Sequence, residues 1–94
     1  MHYRYFIEEN PEKFLKKNKK DTVTTKRIYE EIKNITQRPF HPKYKFIKSK
    51  RCPQCQRARV GNLRIIFYVD KEKNEIYILD IIKRSSNYRL YSIL

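Results

Sequence analysis

The sequence lacks what would place it in a membrane or mark it for export. No apolar run approaches the roughly 20 residues a membrane-spanning helix needs. The longest runs, over 63–69 and 76–82, are each interrupted by a charge, Arg64 and Asp80. The first residues, Met1-His2-Tyr3-Arg4-Tyr5, show no basic stretch leading into an apolar core and a small-residue cleavage site, so no signal peptide is read there and a cytoplasmic protein is expected. No internal repeat and no low-complexity linker divides the 94 residues, which suggests a single domain over 1–94. Cysteine is scarce: Cys52-Pro53-Gln54-Cys55 is the only pair. Zinc normally takes four ligands, so the pair is half a site; His41 supplies a third candidate and no fourth is evident. The pair lies in a basic connector rather than at the start of a helix after a strand, where a thioredoxin-type motif belongs. A structural clip or spectator thiols therefore rank ahead of a zinc site shared with another chain, and redox chemistry ranks last. No metal site and no cofactor are expected.

Acid is missing where it matters most. Between Glu31 and Asp70 there is no carboxylate, but there are ten basic residues: Lys33, Arg38, Lys43, Lys45, Lys48, Lys50, Arg51, Arg57, Arg59 and Arg64. The whole chain carries a net charge of +13. A solvated surface usually mixes signs, so a segment this one-sided implies a polyanionic partner, nucleic acid first and an acidic protein next. An anionic membrane surface ranks last, because Pro39, Pro42 and Pro53 break the stretch and no amphipathic period runs through it.

Residues 2–8 alternate loosely and are rich in Tyr, Phe and Ile, which suits a first strand. Asn10-Pro11 reads as a helix start, with an Asx cap and Pro at the first helical position, and the lysines at 16, 17, 19 and 20 suit an end near residues 18–20. A second helix, capped by Asp21 or a following threonine, carries Ile28, Tyr29, Ile32 and Ile35 as one buried stripe and stops before Pro39. After a basic connector over 40–56, strand-like runs follow at 57–60, 63–70 and 75–83. The class is α+β: an N-terminal strand, a two-helix hairpin, then a three-stranded antiparallel meander, with the helices on one face of a four-stranded sheet.

Gly61, the chain's single glycine, forms with Asn62 a two-residue turn with glycine first, as type II′ requires. Counting outward pairs Val60 with Leu63, Arg59 with Arg64, Ala58 with Ile65 and Arg57 with Ile66. Ala58, Val60, Leu63, Ile65, Phe67 and Val69 then share a core face, and Arg57, Arg59, Arg64, Ile66 and Tyr68 the other. Two arginines directly opposed repel by about 0.2–1 kcal/mol. With no acidic partner expected on that face, the arrangement points to a phosphate-bearing ligand, gripped by guanidinium groups beside a stacking surface on Tyr68. A four-residue loop over 71–74 would put Lys83, rather than Arg84, on the arginine face, and a shift of one residue reverses the choice.

The run Arg59-Val60-Gly61-Asn62-Leu63-Arg64-Ile65-Ile66-Phe67, the charged loop, Ile76-Tyr77-Ile78-Leu79-Asp80-Ile81, then Lys83-Arg84 and Tyr88 resembles the C-terminal half of the RelE/ParE superfamily of type II toxins. For RelE-like members the resemblance implies a metal-independent endoribonuclease, an mRNA interferase that inhibits translation by cleaving messenger RNA in the ribosomal A site through attack of the ribose 2′-OH on the adjacent phosphate. By position it assigns Arg59, Arg64, Arg84 and Tyr88 to catalysis. Arg57, Lys83, Tyr68, Lys48, Lys50 and Arg51 are the remaining RNA-binding candidates. Arg64 and Arg84 would stabilise charge on the phosphorane, and Tyr88 would stack on a base or orient the 2′-OH. Arginine stays protonated, so Arg57 and Arg59 make poor general bases where Lys-rich members have an alternative. The implied partners are the ribosome, messenger RNA and an acidic, RelB-like antitoxin in a heterotetramer, with no membrane. The rivals are a ParE-like gyrase inhibitor, which needs no phosphate clamp, and a non-catalytic basic RNA-binding module.

Overall fold

A computed structural model describes residues 3–83. The chain forms β1 (Arg4–Ile7), α1 (Glu9–Lys17), α2 (Thr22–Gln37), β2 (Lys45–Phe46), β3 (Gln56–Val60), β4 (Leu63–Asp70) and β5 (Glu75–Lys83). The strands make one sheet in the order β1-β5-β4-β3-β2. β1 lies parallel to β5, which the helical hairpin permits by carrying the chain across one face, and the other pairs are antiparallel. The architecture is the expected α+β fold with one strand more than expected: β2, two residues long, pairs with β3 at the far edge.

Local chemistry explains most boundaries. Asp21 caps α2 by accepting from the Thr24 N–H at 3.1 Å, which holds the Asp21 carboxyl below its ordinary pKa. α1 corrects the expected start. Glu8, not Asn10, is its N-cap and makes no side-chain cap bond, while Pro11 sits buried in the first turn, where its missing N–H would have no helical partner anyway. Of the expected stripe on α2, Ile28, Ile32 and Ile35 are buried; Tyr29, about 100° further round the helix than Ile28, is exposed. The first strand is shorter than expected and lies at the sheet's edge with Arg4, Tyr5 and Phe6 exposed.

The hairpin register is as the turn dictates, from Val60 opposite Leu63 to Arg57 opposite Ile66. Gly61 has φ +59°, a conformation that L side chains resist, and an added Cβ would lie 3.4 Å from the Arg27 guanidinium. The face bearing Ala58, Val60, Leu63, Ile65, Phe67 and Val69 packs with Ile76, Ile78 and Ile81 of β5 against the isoleucines of α2 and Leu15 of α1. Among the described residues the opposite face carries no helix.

Tyr44 fastens the connector to the helical side. Its ring is buried edge-on to Phe67, and its hydroxyl donates to the Glu31 carboxylate at 2.5 Å. Burial and that hydrogen bond together push the Tyr44 phenol well above its ordinary value of 10. Because the protonated phenol is the favoured form, its contribution is complete below pH about 10 and is lost as pH rises toward the elevated folded value. Tyr44→Phe should therefore destabilise by about 1–2 kcal/mol in urea at neutral pH, with the gap to wild type narrowing above pH about 10. A gap that stayed constant to pH 11 would contradict this anchoring role.

Candidate nucleic-acid interface

The helix-free face gathers the basic residues of three adjacent strands. Arg59 lies opposite Arg64, Arg57 opposite Ile66, and on the other side of Arg57 the missed strand β2 adds Lys45. These residues do not meet solvent equally. Lys45 and Arg59 are exposed and Arg57 is half-buried, whereas Arg64 is only 6% exposed. Arg64 is thus on the face that alternation gives it, but nearly buried there. Arg64 also has an interaction partner within the fold, so it is a positioned guanidinium rather than a loose surface charge. β2 stops at the level of Arg57, which leaves Arg59 on an open stretch of edge. There Arg59 borders a cavity of about 170 Å³ shared with Arg27, Glu30 and Glu31 of α2.

A bulge decides what lies beside Arg64. The loop over 71–74 does have four residues, with Asp70 opposite Glu75, and Phe67 pairs with Ile78 as counting requires. Between Phe67 and Ile66 the register then shifts: Ile66 pairs with Asp80, so Leu79 is the extra residue. From there every side chain of β5 changes face. Ile82, opposite Arg64, joins the helix-free side, and Lys83 lies opposite Leu63, a residue of the helix-side core. Lys83 is therefore exposed but not on the arginine face, against the loop-length count. The same shift puts Asp80 on the arginine face, diagonal to Arg64. The expectation of no acidic residue there is overturned. Asp80 accepts from the Ile81 N–H at 2.9 Å and, like Arg64, has a further partner in the fold. Arg84 and Tyr88 lie outside the described residues.

The connector covers the middle of this face. Cys52 and Cys55 form a disulfide, in keeping with the structural clip, with Cα atoms 5.3 Å apart. The Ile47 N–H donates to the Cys55 carbonyl at 2.9 Å, and the Cys52 N–H to the Ser49 hydroxyl at 3.3 Å. Ile47 and Cys55 pack on Ile66 and Ile82, with Cys52, Tyr68 and Leu79 at the margin. Ile66, expected as an exposed apolar position, is completely buried as a result. Tyr68 is half-buried and stacked on Tyr77 with centroids 6.2 Å apart, and Tyr77 is stacked in turn on Phe6 at 5.6 Å. Tyr77 donates to Glu75 at 2.6 Å, and that bond, more than burial, pushes its phenol up to about 12. Lys48, Lys50 and Arg51 are exposed on the connector just before the disulfide. His41 is a loop histidine on the helical side, edge-on to Tyr44, and its Nδ1 accepts from the Lys43 N–H at 3.1 Å. Among the described residues no group of three or more His, Cys, Asp and Glu is placed to hold a metal ion. Nor is any helix among them long and apolar enough to cross a membrane.

Sequence reasoning missed β2, Lys45 and the position of Asp80. The alternating, β-prone run Tyr44-Lys45-Phe46-Ile47 was an available signal for the first two. The bulge left none, because every residue of Ile76-Tyr77-Ile78-Leu79 suits either face.

Residues 7–88 match the family model described as the ParE toxin of type II toxin-antitoxin system, parDE. No curated protein matches the chain in sequence. Among solved structures, the RelBE2 toxin-antitoxin complex of Mycobacterium tuberculosis is similar with a TM-score of 0.74 at 17% identity, over 92% of this chain and 95% of that one. The archaeal RelE-RelB complex of Pyrococcus horikoshii gives 0.69 at 25% identity, over 92% and 99%. The free E. coli toxin RelE, solved as a variant with two arginines replaced by alanine, gives 0.69 at 16% identity, over 99% and 96%. These likenesses show the fold.

Burial of Arg64 sets its mutational behaviour. Arg64→Ala removes a nearly buried, engaged side chain and should cost roughly 1–3 kcal/mol, whereas Arg57→Ala, half exposed at the rim, should stay within about 0.5 kcal/mol. Urea midpoints of the two variants check this. Equal midpoints would mean that Arg64 is no part of the packed face.

Proposed function

The chain belongs to the ParE toxin family of type II toxin-antitoxin systems, within the RelE/ParE superfamily, and on that premise we propose that it is a ribosome-dependent endoribonuclease that cleaves messenger RNA in the A site. The observation that carries this reading is the sharing of one helix-free face by Arg57, Arg59 and Arg64, with Lys45 beside them. Asp80 is the carboxylate that the β4-β5 register puts next to the arginines, against Lys45, Arg57, Arg59 and Arg64, so this part of the face keeps an excess of positive charge that suits a phosphodiester. In attack by the adjacent 2′-OH, the 2′-oxygen gives up its proton and bonds to phosphorus, negative charge grows on the non-bridging oxygens, and the bond to the 5′-oxygen of the next nucleotide breaks, that oxygen taking up a proton as it leaves.

In this reading Arg57 and Arg59 hold the RNA backbone, and Arg64 supplies a fixed positive charge from beneath the face, where low dielectric strengthens it. Arg84 and Tyr88 complete the site by the family resemblance, the first on the phosphoryl oxygens and the second on a base or the 2′-OH. Tyr68, partly covered and stacked on Tyr77, serves as a wall of the site. Lys83, facing away, adds charge without touching the scissile phosphate. Alignment of the 2′-OH falls to the ribosome; orientation is worth roughly 7–11 kcal/mol, more than a general base supplies.

The partner that silences the toxin in this reading is an acidic, helical antitoxin, with which it forms a heterotetramer in the cytoplasm. Two of the similar structures are toxin-antitoxin complexes. A groove of about 450 Å³ between the helices and β1 is lined by Ile7, Leu15 and Tyr29, with Lys19 and the Lys16–Glu12 ion pair (3.0 Å) also lining it, and its apolar floor suits an amphipathic segment.

The description of the matching family, ParE, favours a second reading: a gyrase inhibitor that works by protein contact. Induction in cells separates the two. The nuclease reading expects new 5′ ends within translated codons, loss of growth arrest in Arg84→Ala and Arg57→Ala/Arg59→Ala at equal expression, and retained arrest in Lys83→Ala. Growth arrest with intact messages and relaxed chromosomal DNA would establish the inhibitor instead.

A further inference from the structure

The clipped connector carries a second feature that the arginine face does not use. A groove of about 480 Å³ lies on its outer side, lined by Phe46, Ile47, Lys48, Ser49, Lys50 and Pro53. We propose that this groove is a subsite for single-stranded RNA, in which Phe46 stacks on an unpaired base and Lys48 and Lys50 hold the flanking phosphates. The proposal rests on the reading of the chain as an RNA-acting toxin and extends its substrate contacts beyond the arginines.

Phe46 is 55% exposed, more than any other aromatic side chain among the described residues. The other exposed phenylalanines are occupied: Phe6 stacks on Tyr77, and the Lys71 ammonium lies 4.7 Å from the centroid of the Phe40 ring. Phe46 makes neither kind of contact among those residues. An open ring beside lysines is what sequence-tolerant binding of single strands uses, because every base has a face to stack and every linkage a charge to neutralise. A duplex offers no such face, since its bases are already stacked.

Two further observations distinguish the groove from an incidental apolar hollow. Its floor is fixed, because Ile47 packs on Ile66 and Ile82 and its N–H is bonded to the carbonyl of Cys55, itself tied to Cys52 by the disulfide. Little ordering is then required on binding. Its charge is also of one sign: the acid-free segment between Glu31 and Asp70 supplies the whole lining, with Lys45 and Arg51 exposed nearby. Phe46 is opposite Gln56 and so turns away from the face of Arg57, while its neighbour Lys45 is opposite Arg57. β2 is the edge strand, and a strand held by Arg57 reaches the groove by passing Lys45 around that edge.

The test is fluorescence anisotropy of the full chain with a labelled ten-nucleotide RNA, 2′-O-methylated to prevent cleavage, and with the same sequence as a duplex. Phe46→Ala should weaken single-strand binding five- to fifty-fold and Phe46→Tyr should restore it, while neither changes the thermal midpoint appreciably. Lys48→Ala/Lys50→Ala should reduce the salt dependence, log K against log salt, by about 1.4, the value for two single-strand phosphate contacts. Binding by Phe46→Ala equal to wild type, or a duplex bound as well as the single strand, overturns the subsite and leaves the nuclease reading standing. If wild type binds no RNA but binds an acidic peptide through Phe46, the groove is a protein-docking site and the subsite falls, whereas the nuclease reading falls only if messages on ribosomes stay intact.

Discussion

The pairing of β4 with β5 is the constraint from which the arrangement of this molecule follows. β5 lies next to both β1 and β4, so its register decides which side chains join the helical core and which join the arginine face. One extra residue, Leu79, changes the outcome midway. Before it, Ile76 and Ile78 fill the helical core; after it, Ile81 takes that role while Asp80 and Ile82 turn to the arginines. Without the bulge Arg64 would face Ile81, and the carboxylate diagonal to it would be absent. A bulge that re-aims side chains next to a charged cluster is a recurring device near functional sites.

The two faces of the sheet solve different problems. The helical side is a conventional core, closed by Ile28, Ile32 and Ile35 and completed by Tyr44 bonded to Glu31. The other side gathers Lys45, Arg57, Arg59 and Arg64 against the nearby carboxylate of Asp80, an excess of charge that is costly to bury. It is covered instead at its apolar centre alone, by the disulfide-closed loop on Ile66 and Ile82, while the cations remain around the margin. The scarce cysteines thus act structurally, and the connector just before the loop they close presents Lys48 and Lys50 to solvent.

Much of this was legible in the sequence wherever a rule counts residues from a fixed point. Gly61 and Asn62 set the β3-β4 register because a two-residue turn allows no other count, and Asp21 with the isoleucine period located α2. The errors arose where position depends on distant parts of the chain. Ile66 and Arg64 alternate onto the outer face as expected, but their burial is tied to a Pro- and Lys-rich connector that looks solvated in isolation. Lys83 was lost to a bulge in a run whose residues fit either face. Asn10 gave way to Glu8 as cap because Pro is tolerated throughout a first turn. The family resemblance, in contrast, rests on the hairpin and strand-end motifs, and the fold of the described residues agrees with it.

The central claim is that the arginine face acts on RNA only when the ribosome presents it. Purified protein should be incubated with programmed ribosomes, with the same message free in solution, and with gyrase and supercoiled plasmid. The account predicts A-site cleavage on ribosomes that persists in EDTA at levels leaving the ribosomes assembled, very little cutting of free RNA, and gyrase unaffected. Efficient, metal-dependent cutting of free RNA, or inhibition of gyrase with ribosome-bound messages intact, would contradict it.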